Sequence, residues 1–240
     1  MICFLTSSHC VSDAPDLNTA NGFLDELRAC LPNPCRVLFV CSDPDHFAFT
    51  DRIAEESRHS FSLAGFSFSS YHILDRRTMD HTGDWVRQAD LIILAGGHVP
   101  TQNRFLMEID LRRHLADYHG VVLAISAGTM NCADPVYAQP EEPGETDPSH
   151  PRFLSGLGLT ETVLLPHYQM TRTNWVDGLR LYEDITLLDS MGRCFYALVD
   201  GSFLLRRNGQ EELRGEVYRI RDGILTQIGQ TGDVIPLPEV

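Results

Sequence analysis

A serine lies at the point where an apolar run meets two small residues, in the segment VVLAISAGTMN at positions 121–131. A buried strand that ends on Ser126 and turns sharply into a helix lifts the hydroxyl above the carboxyl edge of its sheet. Small neighbours suit such a strained turn, and Ala124, Ala127 and Gly128 supply them. This pattern predicts a nucleophile elbow, although the common form G-x-S-x-G has glycine where this chain has Ala124. A serine that only caps a helix is the alternative.

A second apolar run, LIILAGGH, ends in Gly96 and Gly97. Ligand sites in parallel sheets lie at the carboxyl ends of the strands. The N–H groups of Gly97 and Ala127, the residue after the serine, would together form an oxyanion hole. A plain turn or a phosphate loop would also use two glycines, but the chain has no Walker pattern and no complete G-x-G-x-x-G. We therefore expect no nucleotide and no other cofactor.

The candidate general base is His167, which ends the apolar run of TVLLPHYQ after Pro166. The ends of neighbouring strands could bring its imidazole to the serine hydroxyl. The base needs an acid to orient it, and several carboxylates in the preceding loop could reach it. These are Asp134, Glu141, Glu142, Glu145 and Asp147. No H-E-x-x-H motif and no Cys/His cluster is present, so we expect no metal site.

The elements that position these residues alternate between apolar runs and helical stretches. The runs ICFL, RVLFVC, FSSYHIL, DLIILAGG and VVLAIS predict strands, and helices are predicted in DLNTANGFLDELRACL, at about 47–63 and in NRFLMEIDLRRHLADYHG, closed by Gly120. This alternation predicts an α/β fold, a mostly parallel sheet flanked by helices, in a single domain over 1–240.

The last third of the chain has a different pattern. Asp200-Gly201, Asn208-Gly209 and Asp222-Gly223 each predict a tight hairpin, so antiparallel strands should be added there. Between the two parts lies DPVYAQPEEPGETDPSHPRF, whose five prolines predict a long irregular loop of functional importance.

Composition narrows the classes of partner. The formal charge of −14 argues against nucleic acid, which requires a basic face. No apolar run reaches 18 residues, so we expect no membrane span. With no signal peptide, we expect a cytoplasmic protein whose seven cysteines are reduced.

Together, LAGGH, ISAGT and LPHY resemble, in order and approximate spacing, the dipeptidase E and cyanophycinase family of serine peptidases. That family has a class I glutamine amidotransferase-like fold, with serine in place of the amidotransferase cysteine. The resemblance implies that Ser126 is the nucleophile and His167 the general base. Family spacing puts the orienting acid within QPEEPGE, where we favour Glu142 and leave Glu141 and Glu145 open.

The resemblance also implies a small peptide partner, with aspartyl or β-aspartyl dipeptides as substrates. An aspartyl group needs a cation, for which Arg172 and Arg104 are candidates. The segment HVPTQN departs from characterised members, and we take His98, Gln102 and Asn103 as substrate-binding candidates. Alternatives are a catalytically inactive or ligand-binding domain and an acyl-transfer enzyme acting on a non-peptide amide. A homodimer is left open.

Overall fold

The computed structural model describes residues 1–238 as sixteen strands and a set of helices. The strands follow the predicted apolar runs and the hairpin segments. They are β1 (Ile2–Thr6), β2 (Cys35–Val40), β3 (Phe68–Leu74), β4 (Leu91–Leu94), β5 (Val121–Ile125), β6 (Val136–Tyr137), β7 (Phe153–Leu154), β8 (Val163–Leu165), β9 (Trp175–Val176), β10 (Leu179–Arg180), β11 (Cys194–Leu198), β12 (Phe203–Arg207), β13 (Gln210–Arg214), β14 (Val217–Arg221), β15 (Ile224–Gly229) and β16 (Val234–Pro236).

Eight strands form the main sheet in the order β16-β13-β12-β1-β5-β4-β2-β3. The five strands from β1 to β3 along this order are parallel, and β12, β13 and β16 continue the sheet in antiparallel fashion. The central strands β4 and β5 are nearly continuous runs of buried residues, because separate apolar clusters cover the two faces of the sheet. The predicted fold class is confirmed.

The helices cover this sheet and connect its parallel strands. They are α1 (Phe23–Cys30), α2 (Phe47–Leu63), α3 (Thr82–Gln88), α4 (Val99–Glu108), α5 (Leu111–Leu115), α6 (Ala127–Asn131), α7 (Tyr168–Thr171) and α8 (Leu187–Asp189), with 3-10 turns at Ala20–Gly22 and Met79–His81 and a π-helix at Leu181–Thr186. The prediction for 47–63 is confirmed. None of the helices in residues 1–238 is long and apolar enough to span a bilayer.

Two helix predictions were wrong at their boundaries. The first helix begins only at Phe23, because Asn21 and Gly22 have positive φ angles of 55° and 76°. The long helix expected before Gly120 is two helices, broken where Asp110 has a φ of 49°. The second of them ends at Leu115, so Gly120 is not its C-cap but directly precedes β5.

A smaller four-stranded sheet, in the order β15-β14-β11-β8, lies beside the main one, and its β8 and β11 are parallel neighbours. The hairpins predicted at Asn208-Gly209 and Asp222-Gly223 are confirmed, because each joins two antiparallel partners through residues of positive φ. The hairpin predicted at Asp200-Gly201 was wrong. That turn carries the chain from β11 in the small sheet to β12 in the main sheet.

Candidate active site

The predicted elbow is present at Ser126, between β5 and α6. Its φ of 52° and ψ of −114° are sparsely populated by non-glycine residues, a strain of about 1–3 kcal/mol that the surroundings must hold. The N–H of Ser126 donates to the carbonyl of Thr6 in β1 (3.1 Å), and the Thr129 hydroxyl donates to the same carbonyl (2.8 Å). The Ser126 carbonyl accepts the N–H of Met130 (3.1 Å), which starts the helix.

Close backbone approach explains the small residues around the elbow. A Cβ on Gly128 would lie 2.5 Å from the Leu94 carbonyl oxygen at the end of β4, which is closer than such contacts allow. A Cβ on Gly96 would lie 3.2 Å from the Ser126 Cβ. The helix after the serine therefore packs directly on the neighbouring strand only because position 128 lacks a side chain.

The two proposed oxyanion donors lie on adjacent strand ends. Gly97 follows β4, and Ala127 is the first residue of α6. Neither N–H donates a hydrogen bond to any group in residues 1–238, so both remain available to an incoming oxygen. A Cβ on Gly97 would lie 2.4 Å from the Ser42 Oγ, so this turn also depends on glycine.

His167 follows β8 with a left-handed φ of 58° and forms a pair with Asp200, which follows the parallel neighbour β11. The His167 Nδ1–H donates to the Asp200 Oδ1 at 2.7 Å. This contact leaves Nε2 as the basic nitrogen. Burial raises the pKa of Asp200, but hydrogen bonds from His167, Ser7 and Gln169 outweigh burial and hold that pKa below its usual value. Asp200 is therefore an anion at neutral pH.

Asp200, and not Glu142, is the carboxylate that the structure places against His167. Glu142 is exposed and lies near His98 on another part of the site. The family spacing pointed to the proline-rich loop, whereas Asp200 lies 33 residues beyond the histidine in a segment taken for a hairpin turn. One signal was available, because a polar residue follows two positions after the last residue of both β8 and β11, and the two lie at the same edge if these strands pair in parallel.

Ser7, directly after β1, contacts both His167 and Asp200 and was not singled out from the sequence. Its hydroxyl oxygen accepts the backbone N–H of His167 at 2.7 Å and lies 2.7 Å from the Asp200 Oδ1, to which it donates. The Ser7 side chain is fully buried. It therefore fixes the backbone of one partner and the carboxylate of the other.

His98 and Glu145 form a second histidine–carboxylate pair. The His98 Nε2 lies 2.7 Å from the Glu145 Oε1, and its Nδ1 lies 2.8 Å from the Thr101 hydroxyl. Burial raises the pKa of Glu145, but the N–H groups of Glu141 and Glu142 and the His98 contact together lower it. His98, Glu142 and Glu145 each offer one atom within 4.8 Å of the others, so these three could hold a cation.

The other substrate-binding candidates occupy different positions. Gln102 is fully buried, and its amide donates to the Ala95 and Cys41 carbonyls at the ends of strands. That side chain is thus used in packing and is not aimed at a ligand. Asn103 donates to the Asn131 side chain and to the Ser155 carbonyl. Arg172 is exposed on the surface beyond α7.

Two cavities meet at Gly97. The first, of about 540 Å³, is lined by Ser126 and His167 and by residues of α2 and of the segment after β1. The second, of about 830 Å³, is lined by His98, Asn103, Arg104 and the loop that carries Glu142 and Glu145. No hydrogen bond joins the Ser126 and His167 side chains in residues 1–238. Such contacts are often long in hydrolases without substrate.

The site therefore combines a strained serine, two free N–H groups and a histidine held by a carboxylate, which together suit acyl transfer. The model of Peptidase family S51 matches residues 3–213. A peptidase from an acI-B1 Actinobacterium has a similar structure, with a TM-score of 0.70 and 15% identity over 98% of this chain and 96% of that one. A putative peptidase E protein from Listeria monocytogenes EGD-e has a TM-score of 0.63 and 15% identity, over 95% and 98% of the two chains. No curated protein matches the chain.

Proposed function

Because the chain belongs to peptidase family S51, we propose that it hydrolyses small peptides through an acyl-enzyme on Ser126, with His167 as the general base and Asp200 as the acid that orients it. The family supports a serine peptidase. The observation that carries the assignment of residues is the Asp200–His167 pair, which lines the same cavity as the strained serine through His167.

In the first half of the reaction, the Ser126 oxygen attacks the peptide carbonyl carbon while His167 Nε2 takes the hydroxyl proton. The negative charge that forms on the carbonyl oxygen is received by the N–H groups of Gly97 and Ala127. Asp200 stabilises the imidazolium and keeps its Nδ1 protonated. The imidazolium then gives its proton to the leaving nitrogen as the carbon–nitrogen bond breaks.

In the second half, water replaces the amine. His167 removes a proton from the water as its oxygen attacks the ester carbonyl, and the same N–H groups hold the second oxyanion. The carbon–oxygen bond to Ser126 breaks, and the serine oxygen recovers the proton from the imidazolium. The product is a free carboxylate, and the enzyme returns to its starting state.

The test is amine release from a dipeptide panel, together with labelling by a fluorophosphonate probe, for the wild type and Ser126→Ala. We expect the wild type to cleave at least one peptide and to be labelled, and the variant to do neither. Equal activity in the two proteins would remove Ser126 from its role. A wild-type serine that the probe does not label would favour the alternative of an inactive, ligand-binding domain.

The preferred acyl residue of the substrate depends on which charged groups lie near Ser126. The family resemblance implies an aspartyl or β-aspartyl residue, which would need a cation beside Ser126. Arg104 lines the second cavity, and Arg172 lines neither of the two cavities at Gly97. The panel must therefore include aspartyl, β-aspartyl and apolar acyl residues.

A further inference from the structure

The first cavity is the part of the site that the acyl group of a substrate must enter. In an acyl-enzyme, the acyl carbon is bonded to the Ser126 oxygen. Of the two cavities that share Gly97, only this one is lined by Ser126. The side chain next to the scissile carbonyl therefore lies closest to this cavity, and the lining decides which side chain fits.

The walls of this cavity are mainly apolar. The apolar lining includes Phe39 and Ala95 from the ends of the parallel strands, Ile53 from α2 and Ile125 beside the serine. Cys10, Ala14 and Pro15 from the segment after β1 also line the cavity. A volume of about 540 Å³ is ample for a large side chain and falls in the usual range for small-ligand sites.

No arginine lines this cavity to pair with a carboxylate, and its polar lining on α2 includes Ser57, His59 and Ser60. The chain has nineteen arginines and no lysine, and no arginine lies beyond residue 221. His9 lines it, but burial lowers the pKa of His9 to about 4, so the ring is neutral near pH 7. The exposed Glu56 adds a carboxylate at its edge. An aspartyl side chain here would lose water and gain no guanidinium partner.

We propose that this cavity is the acyl-side specificity pocket and that it selects an uncharged aliphatic or aromatic side chain, such as leucine, methionine or phenylalanine, in place of aspartate. This inference rests on the proposed function, since it assumes an acyl group on Ser126. The charged groups of the substrate then lie toward the second cavity, where they can contact His98, Arg104 and Glu145.

The first test uses dipeptides Xaa-Ala, where Xaa is leucine, methionine, phenylalanine, aspartate, β-aspartate or lysine. We expect kcat/KM to be about 100-fold or more higher for the three apolar residues, because a charge buried without a partner is costly. A preference for aspartate or β-aspartate would overturn the inference while leaving the serine peptidase standing.

A second experiment measures the side-chain preference of the pocket without substrate turnover. The boronic acid analogues of leucine, phenylalanine and aspartate each add to the serine oxygen as a tetrahedral boronate, and the serine proton passes to the histidine. Their potency in blocking fluorophosphonate labelling should follow the same order as the dipeptides. The opposite order would contradict the pocket assignment, and no labelling of wild type at all would remove the proposed function and the inference together.

A matched pair of variants on α2 tests the wall itself. Ile53 lines the first cavity, whereas the exposed Leu63 at the end of the same helix lines neither cavity. Ile53→Arg should lower kcat/KM for Leu-Ala at least tenfold and raise it for Asp-Ala, because it supplies the missing cation. Leu63→Arg adds the same charge outside both cavities and should leave the ratio of the two substrates within threefold. Equal effects of the two variants would contradict the pocket assignment.

Discussion

Replacing Asp200 with asparagine should show whether this carboxylate is the orienting acid. The His167 Nδ1 and Asp200 Oδ1 are 2.7 Å apart, and the two side chains are 29% and 22% exposed. An intermediate effective dielectric of about 20 therefore applies, and two charges about 4 Å apart then interact by about 4 kcal/mol. At about 1.4 kcal/mol per tenfold, losing this interaction slows formation of the imidazolium by about 10³. A wrong tautomer, held by the asparagine amide, brings the expected loss to between 10³ and 10⁴.

The assay is kcat/KM on the best peptide of the panel, with the rate of fluorophosphonate labelling as a measure that needs no substrate. Glu142→Gln is the matched control, since it removes the same charge from the carboxylate that sequence spacing favoured. We expect that control to stay within threefold of wild type. Asp200→Asn activity above a tenth of wild type in a folded protein, or a collapse of activity in Glu142→Gln, would refute the assignment.

Three further substitutions and one pH dependence have expected outcomes. Ser7→Ala removes the contacts with the His167 N–H and the Asp200 carboxylate, worth about 1 kcal/mol each, and should lower kcat about 10- to 100-fold with KM little changed. An unchanged kcat would show that Ser7 does not position the pair. Gly97→Ala should cost about 10²–10³ in kcat, partly restored by adding Ser42→Gly, which removes the clashing atoms. Because the folded-state pKa of Asp200 is depressed, its stabilising contribution is present above about pH 4 and lost as pH falls through the lower folded value. Acid unfolding should therefore be less steep in Asp200→Asn. Gln102→Ala should lower the free energy of unfolding by about 2–3 kcal/mol and leave KM unchanged, which calorimetry and kinetics would check.

The parallel part of the fold was predictable because its strands are buried on both faces. Runs such as LIIL and VVLAI carry no polar residue, and turns or helices bound them, so both their type and their order can be read from the pattern. The serine and the glycine turns were predictable for the same reason. Each lies where such a run stops, and strand ends of a parallel sheet meet at one edge.

The carboxylate that contacts His167 was not predictable in the same way. Asp200-Gly201 is a strong local signal for a hairpin, yet the turn joins two sheets, and only tertiary pairing of β8 with β11 places the carboxylate beside His167. For Gln102, the sequence suggested a functional contact where the structure shows an internal one. A polar residue near the glycine turn suggested a substrate contact, but its amide satisfies carbonyl groups at strand ends inside the fold.

Intact mass and peptide mapping after fluorophosphonate labelling would locate the nucleophile. We predict one adduct per chain, located on Ser126, absent in Ser126→Ala and formed at least 100-fold more slowly in His167→Ala and Asp200→Asn. An adduct on another residue, or labelling of Ser126 at the wild-type rate in both of those variants, would contradict a serine nucleophile activated by His167 and Asp200.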